Sequence, residues 1–271
     1  MMSLDYGLIN VKGKNKQRNE DYHLIASNTI TDSSEQITIV AIADGMGGHS
    51  QAKQASHIAI EELENLWYRI FETQKKTSLY KIISQIENEI PELLKNIDIK
   101  LNENPEDKMG TTLSILLMAE KYYYIAHVGD GRIYLMKDSA AKDIFKTQDL
   151  EYNNNFNLIT EDQSWVSLQI KQNKMTHEEA LNHKKSNLIY ECLGVKPGVN
   201  PLYSFGTYAE GDKFILMTDG VYKNLSIDKI YNLIENEIGN SEKLQSVADK
   251  IYDALLGTPL DDDVCFIAIN N

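Results

Sequence analysis

The sequence predicts an α+β fold in which two mostly antiparallel β-sheets are covered by pairs of helices. Three observations carry this expectation. Short apolar or β-branched runs come in blocks, separated by polar segments, which is the signature of strands. Between the blocks the apolar period lengthens to three or four residues, as on one face of a helix. Connections inside the middle block are short enough for hairpins or a meander, and a regular βαβ repeat does not allow that.

Taken in order, Tyr6 to Val11, Tyr22 to Ser27 and Ile37 to Ala43 read as the first strands. From Ala55 onward, Ala59, Leu63, Leu66, Trp67, Ile70 and Phe71 form the apolar face of a helix. In a second helix Leu79, Ile82, Ile83, Ile86, Ile90, Leu93, Leu94 and Ile97 line one side, and Pro91 either kinks it or divides it in two. These two helices are expected to pair antiparallel. Leu113 to Met118, Tyr122 to Val128 and Arg132 to Lys137 read as consecutive strands.

Residues 138–187 are polar and irregular, with a helical piece from Gln163 to Asn173. Phe214 to Thr218 returns to strand, Ile227 to Ile238 and Leu244 to Leu256 are helical, and Val264 to Ile269 is the last strand. With 271 residues, 42% of them hydrophobic and 25% charged, the chain fits one domain, 1–271, whose sheet carries the polar stretch as an insertion.

A formal net charge of -13 argues against non-specific binding to nucleic acid or an anionic membrane. The two cysteines, Cys192 and Cys265, have neither CxxC nor His-rich spacing, so neither a disulfide framework nor a zinc site is expected. Both read as core thiols of a cytoplasmic protein. The start lacks a basic stretch followed by an apolar one, and no run approaches the length of a membrane span.

The chemistry concentrates at strand ends. Asp44-Gly45-Met46-Gly47-Gly48-His49 follows the run Ile37 to Ala43, Asp219-Gly220 follows Phe214 to Thr218, and Asp261-Asp262-Asp263 precedes Val264 to Ile269. Solvating charges belong on exposed faces, so carboxylates beside buried strands call for another purpose. Gly13 to Asp21 adds Glu20 and Asp21 just before a strand. Acidic oxygens from four separated segments suit a hard divalent cation such as Mg²⁺ or Mn²⁺. Without a side chain, Gly45 lets its carbonyl approach a metal, and Gly47 and Gly48 permit a tight turn into the helix near Ala52.

These motifs occur together with Asn19-Glu20-Asp21, Met109-Gly110-Thr111-Thr112, Ala126-His127-Val128-Gly129-Asp130-Gly131-Arg132-Ile133-Tyr134, Asp162-Gln163-Ser164-Trp165 and Leu193-Gly194. On them the chain resembles the metal-dependent protein phosphatase 2C family, especially its compact bacterial members, over nearly its whole length. The resemblance implies a central β-sandwich flanked by helices, a four-layer αββα arrangement, with a two-metal cleft at one edge of the sheets. It implies that Asp44 bridges two Mn²⁺ or Mg²⁺ ions, that Asp219 and Asp262 bind the first, and that the Gly45 carbonyl binds the second. Glu20 and Asp21 would orient the second metal's ligands or waters, and Asp130, sharing Asp219, would hold a looser third metal. Asp44, Asp219, Asp262 and Asp21 form the implied catalytic set, around a metal-bridging hydroxide that attacks phosphorus in line without a covalent intermediate.

The implied substrates are phosphoserine and phosphothreonine proteins, the implied counterpart a bacterial serine/threonine kinase, and the implied state a cytoplasmic monomer. Competing readings are a non-catalytic phosphoprotein-binding regulator of the same fold, or a partner-switching phosphatase specific for one regulatory protein. Lys16 stands where the family commonly has a phosphate-binding arginine; it keeps the charge and loses bidentate geometry. Arg18 either takes over that role or is merely solvated. Met46 stands where eukaryotic relatives carry a histidine acid, and His49 reads as a hydrogen-bonded structural residue. Gly131, Ala52 and Cys265 replace a serine, a glycine and a threonine of the family. His127 is expected to face the core, His57, His177 and His183 a helix surface, and Asp263 to bond neighbouring backbone. Residues 139–187 correspond to the family's flap beside the cleft.

Overall fold

The computed structural model describes residues 4–30, 35–47, 50–73, 78–103, 109–138, 155–181, 183–238 and 243–270. Its first block comprises strands β1 (Tyr6–Val11), β2 (Asp21–Thr29) and β3 (Gln36–Gly47), then helices α1 (Ser50–Thr73) and α2 (Leu79–Leu101). The second holds β4 (Met109–Thr111), β5 (Leu113–Ala119), β6 (Tyr122–Val128), β7 (Arg132–Met136) and β8 (Phe156–Leu158), followed by short helices α3 (Trp165–Lys171) and α4 (His177–Leu181). The third holds β9 (Leu202–Thr207), β10 (Lys213–Met217), α5 (Asp219–Tyr222), α6 (Ile227–Ile238), α7 (Leu244–Leu256) and β11 (Val264–Ile269).

These strands form two sheets, ordered β1-β11-β10-β7-β8 and β2-β3-β5-β6-β9, with β4 added to β3. Every described pairing is antiparallel. Period-two alternation then sorts the side chains into layers. In β3, Ile37, Ile39, Ala41 and Ala43 pack with α1 and α2, while Val40 and Ile42 enter the core between the sheets. In β11, Val264, Phe266 and Ala268 pack with α6 and α7, and Cys265, Ile267 and Ile269 turn to the inter-sheet core. Three apolar cores therefore separate four layers, helices outside and sheets inside.

The helix pair expected after β3 is antiparallel: Arg69 pairs with Glu89 at 2.5 Å and Glu62 with Lys100 at 2.5 Å, so rising numbers on α1 meet falling numbers on α2. Helix α2 continues through Pro91 undivided. Helix α1 starts at Ser50, earlier than its apolar period shows, because Ala52 and Ala55 are small buried residues with no periodic bulk.

Several expectations need correction. β3 does not end at Ala43; it runs on through Asp44 and Gly45 to Gly47, because Gly45, Met46 and Gly47 pair with Thr111, Gly110 and Met109 of β4. β6 and β7 are not a hairpin. β6 belongs to the six-stranded sheet and β7 to the other, so Gly129-Asp130-Gly131 carries the chain between sheets. Gly129 adopts φ +110 there, and a Cβ would lie 2.5 Å from Thr112 Cγ2. The helix expected from Gln163 spans only Trp165–Lys171, capped by Ser164, whose hydroxyl accepts from the Ser167 N–H at 3.3 Å. His183 lies past α4 rather than on a helix, its ring stacked on Trp165. Residues 139–154 of the insertion, with His49 and Gly48, lie outside the described residues, as does the His177 side chain. Among the described residues no helix is long and apolar enough to cross a membrane.

Candidate active site

One end of the sandwich gathers the expected carboxylates because strands of both sheets terminate there. In the six-stranded sheet Asp21 opens β2 directly opposite Asp44 of β3. In the other, Asp219 follows the end of β10, and Asp262 and Asp263 precede β11, whose Phe266 pairs with Met217. Asp130, on the crossover between sheets, belongs to the same end: its charge is felt at Asp44 and that of Asp219 is felt at Asp130.

Each carboxylate is held by its own scaffold. The Asp44 backbone is clamped by the Thr111-Thr112 pair: its N–H donates to Thr112 Oγ1 at 2.9 Å, and its carbonyl accepts from Thr112 N at 2.9 Å and Thr111 Oγ1 at 3.0 Å. Asp21 is buried and accepts at Oδ2 from the Thr218 hydroxyl at 2.7 Å, which itself accepts from Cys265 N at 2.9 Å. One hydroxyl thereby ties together β2, β10 and β11. Asp263 is buried as well; its two oxygens accept from Gly13 N at 2.8 Å and Glu20 N at 2.7 Å, fixing the loop that carries Lys16 and Glu20. Asp263 therefore bonds backbone remote in sequence, where neighbouring backbone was expected.

The glycines following Asp44 and Asp219 share a reason. A Cβ on Gly45 would lie 2.1 Å from the Ala52 carbonyl oxygen, and one on Gly220 would lie 1.9 Å from that of Asp263. Close backbone approach excludes any side chain at both places. At Gly47 the requirement is conformational, with φ +139.

Charge is unusually concentrated. Burial, then the charges of Asp21, Asp219, Asp130 and Asp262, push the Asp44 carboxyl well above its ordinary value. Burial and the charges of Asp219, Asp263 and Asp262 do the same to Asp21, against the opposing Thr218 hydrogen bond. Asp130 is raised to about 7, by burial first and by Asp219 next. Two ammonium groups lean on the cluster. Lys16 Nζ bridges Glu20 Oε2 at 2.7 Å and Asp262 Oδ1 at 2.9 Å; burial works to lower its pKa, but these partners hold it above the usual value. Lys223 Nζ lies 2.5 Å from Asp219 Oδ2 and 2.8 Å from Asn187 Oδ1. Arg18 is exposed and has no hydrogen bond or ion pair with a described residue.

A further network borders the site. Arg132 grips Asp162 through Nε at 3.1 Å and Nη2 at 2.7 Å, and its guanidinium lies 3.7 Å from the Tyr222 ring centroid. The Tyr222 hydroxyl donates to the Asp130 carbonyl at 3.0 Å and Oδ2 at 3.3 Å. His127 is buried, with Nε2 3.0 Å from the Gly129 carbonyl and 3.1 Å from that of Glu161. Carbonyls only accept, so Nε2 carries the proton and Nδ1 accepts from Ser114 Oγ at 2.9 Å. Burial lowers its pKa, leaving a neutral structural histidine. Cys192 and Cys265 are buried free thiols, and burial raises both, Cys192 to about 11.

With this geometry in hand, the sequence matches the protein phosphatase 2C family over residues 12–255. The chain belongs to that family. Among relatives, the serine/threonine phosphatase stp of Listeria welshimeri is 28% identical over 233 residues, covering 86% of this chain and 83% of that protein. The serine/threonine phosphatase Stp1 of Staphylococcus aureus superposes with a TM-score of 0.77 at 25% identity, covering 100% of this chain and 96% of that one. The catalytic domain of PstP, solved in complex with two manganese ions, gives a TM-score of 0.72 at 22% identity, covering 98% and 97%. As a member of the protein phosphatase 2C family the chain is a protein phosphatase.

The donor set can be tested against a divalent cation. Among the described residues no three His, Cys, Asp or Glu side chains already converge as a ligand group. What stands there is an all-oxygen set partly neutralised by lysines, and Asp219 Oδ1 is buried with no hydrogen-bond partner among the described residues. A buried carboxylate oxygen without a donor is costly, and a hard cation removes that cost. On donor chemistry the residues fit Mg²⁺ or Mn²⁺.

Sequence reasoning did not assign roles to Thr111, Thr112, Thr218, Lys223, Tyr222 or Asp162. Thr111, Thr112 and Thr218 lie in motifs that the sequence shows, yet only the tertiary approach of distant segments shows what their hydroxyls hold.

Proposed function

We propose that this protein phosphatase 2C member hydrolyses phosphoserine and phosphothreonine in proteins at a centre that holds two Mn²⁺ or Mg²⁺ ions. The observation that carries the proposal is the buried Asp219 Oδ1, with no hydrogen-bond partner among the described residues, within a carboxylate cluster drawn from both sheets. Asp44, the Gly45 carbonyl, Asp219 and Asp262 would hold the ions, with Glu20 and Asp21 beside them. Bound there, such ions supply charge neutralisation for the phosphoryl group and a water acidic enough to react near neutral pH.

The chain's own residues prepare that chemistry. Thr111 and Thr112 fix the Asp44 backbone, Thr218 orients Asp21, and Asp263 anchors the loop of Glu20 and Lys16. Lys16, placed at the cluster, is the cation for the substrate phosphate; Arg18, exposed and without a partner among the described residues, is not. Both thiols are buried with raised pKa, so neither serves as nucleophile. The bacterial relatives named as serine/threonine phosphatases support the substrate class, and the free thiols support a reducing compartment where a serine/threonine kinase supplies the phosphoproteins.

The test is phosphate release from a phosphothreonine peptide. Turnover is expected with added Mn²⁺, loss of it with excess chelator, and recovery on restoring Mn²⁺. Metal binding without turnover on any phosphoprotein would instead make the chain a binding regulator.

A further inference from the structure

Asp219 already has a cation, and the chain provides it. Lys223, four residues on, reaches back across α5 to place Nζ 2.5 Å from Asp219 Oδ2. It is no ordinary surface pair. The Lys223 side chain is 29% exposed and that of Asp219 11%, and Asp130 and Asp44 also act on the ammonium group. Asn187 Oδ1, at 2.8 Å, is its second partner.

We propose that Lys223 is a built-in counter-cation that competes with divalent metal for Asp219, and so sets how tightly the centre binds its ions. This rests on the reading of the cluster as a metal centre. A cation that approaches the free Oδ1 of Asp219 meets the positive charge already seated on Oδ2, at a separation where partly buried charges interact strongly. Full use of the carboxylate requires the ammonium to withdraw, at the cost of an ion pair and of its bond to Asn187. If Lys223 were only structural, its loss would loosen Asp219 and weaken metal binding. The two readings predict opposite signs.

The experiment titrates Mn²⁺ into metal-stripped protein and follows free Mn²⁺ by electron paramagnetic resonance, for wild type, Lys223→Met and Lys223→Arg. Lys223→Met is expected to bind Mn²⁺ about tenfold more tightly than wild type, because one opposing charge has gone. Lys223→Arg keeps the charge and should stay within about threefold of wild type. Lys223→Gln, which retains a hydrogen-bond donor for Asn187, serves if the Met variant does not fold, with the same tightening expected. Unchanged or weaker Mn²⁺ binding in a folded neutral variant would overturn the inference and leave the metal-centre reading intact. Absence of Mn²⁺ binding by wild type would overturn both.

Discussion

Asp263 joins three segments by backbone hydrogen bonds, and its removal has a magnitude the structure lets one work out. Its carboxylate accepts from Gly13 N at 2.8 Å and Glu20 N at 2.7 Å, across sequence separations of 250 and 243 residues. A hydrogen bond to a charged acceptor contributes about 1.5–3 kcal/mol, and a donor left buried costs a comparable amount. The Gly13 N–H is buried and stays unsatisfied in Asp263→Ala; the Glu20 N–H is partly exposed and regains water. Two such bonds amount to about 3–6 kcal/mol; burial, which raises the Asp263 carboxyl above its ordinary value in spite of them, offsets part of that and leaves a net loss of about 3 kcal/mol. At about 2–4 °C per kcal/mol for a domain near this size, Tm should fall by about 6–12 °C. Thermal unfolding in chelator at pH 7 measures it without metal contributing. Asp263→Asn keeps one acceptor oxygen and should recover part of the loss. A Tm shift under about 1 °C for Asp263→Ala would refute the reasoning, because it would mean that the loop of Lys16 and Glu20 is held by something else.

Lys16→Met should raise KM for a phosphothreonine peptide at least about tenfold while Arg18→Ala stays within about twofold, since only Lys16 is held at the cluster; steady-state kinetics decide, and the reverse order would reassign phosphate capture to Arg18. The pH dependence of the metal-free protein follows from Asp21, Asp44 and Asp130, all raised above the ordinary 3.8, Asp130 to about 7. Groups with raised folded values hold protons that the unfolded chain has released; their contribution is fully present below about pH 3.8 and is lost as pH rises through the folded values. His23 and His127, lowered by burial, act with the opposite sign below about their ordinary 6.5, so the comparison belongs above it. In chelator, Tm should be higher at pH 7 than at pH 8, and the opposite order would contradict the burial of these carboxylates.

How much was legible in the sequence depended on whether a residue's role is local. Asp44, Asp219 and Asp262 stand out because each borders an apolar run, and such runs are local. The helices α1, α2, α6 and α7 show their periods for the same reason. Strand β9 does not: Tyr203 and Phe205 point outward, 44% and 74% exposed, while Ser204 and Gly206 face inward, the inverse of the usual alternation. β4 is three residues long and exists because β3 continues beside it. Lys223 carries no signal in sequence, and Asp263 reads there as bonding neighbouring backbone; what makes them part of the site is an approach of segments that no local pattern encodes. The same holds for Gly129-Asp130-Gly131, which reads as a hairpin turn and is a crossover between sheets.

The proposed role of the carboxylates gathered at one end of the sandwich is to hold the metal on which turnover depends. It is tested most directly by phosphate release from a phosphothreonine peptide in saturating Mn²⁺, comparing wild type with Asp44→Ala and Asp219→Ala. Nearly all turnover should be lost in both variants, each still folded by circular dichroism. Wild-type turnover in either one would contradict it.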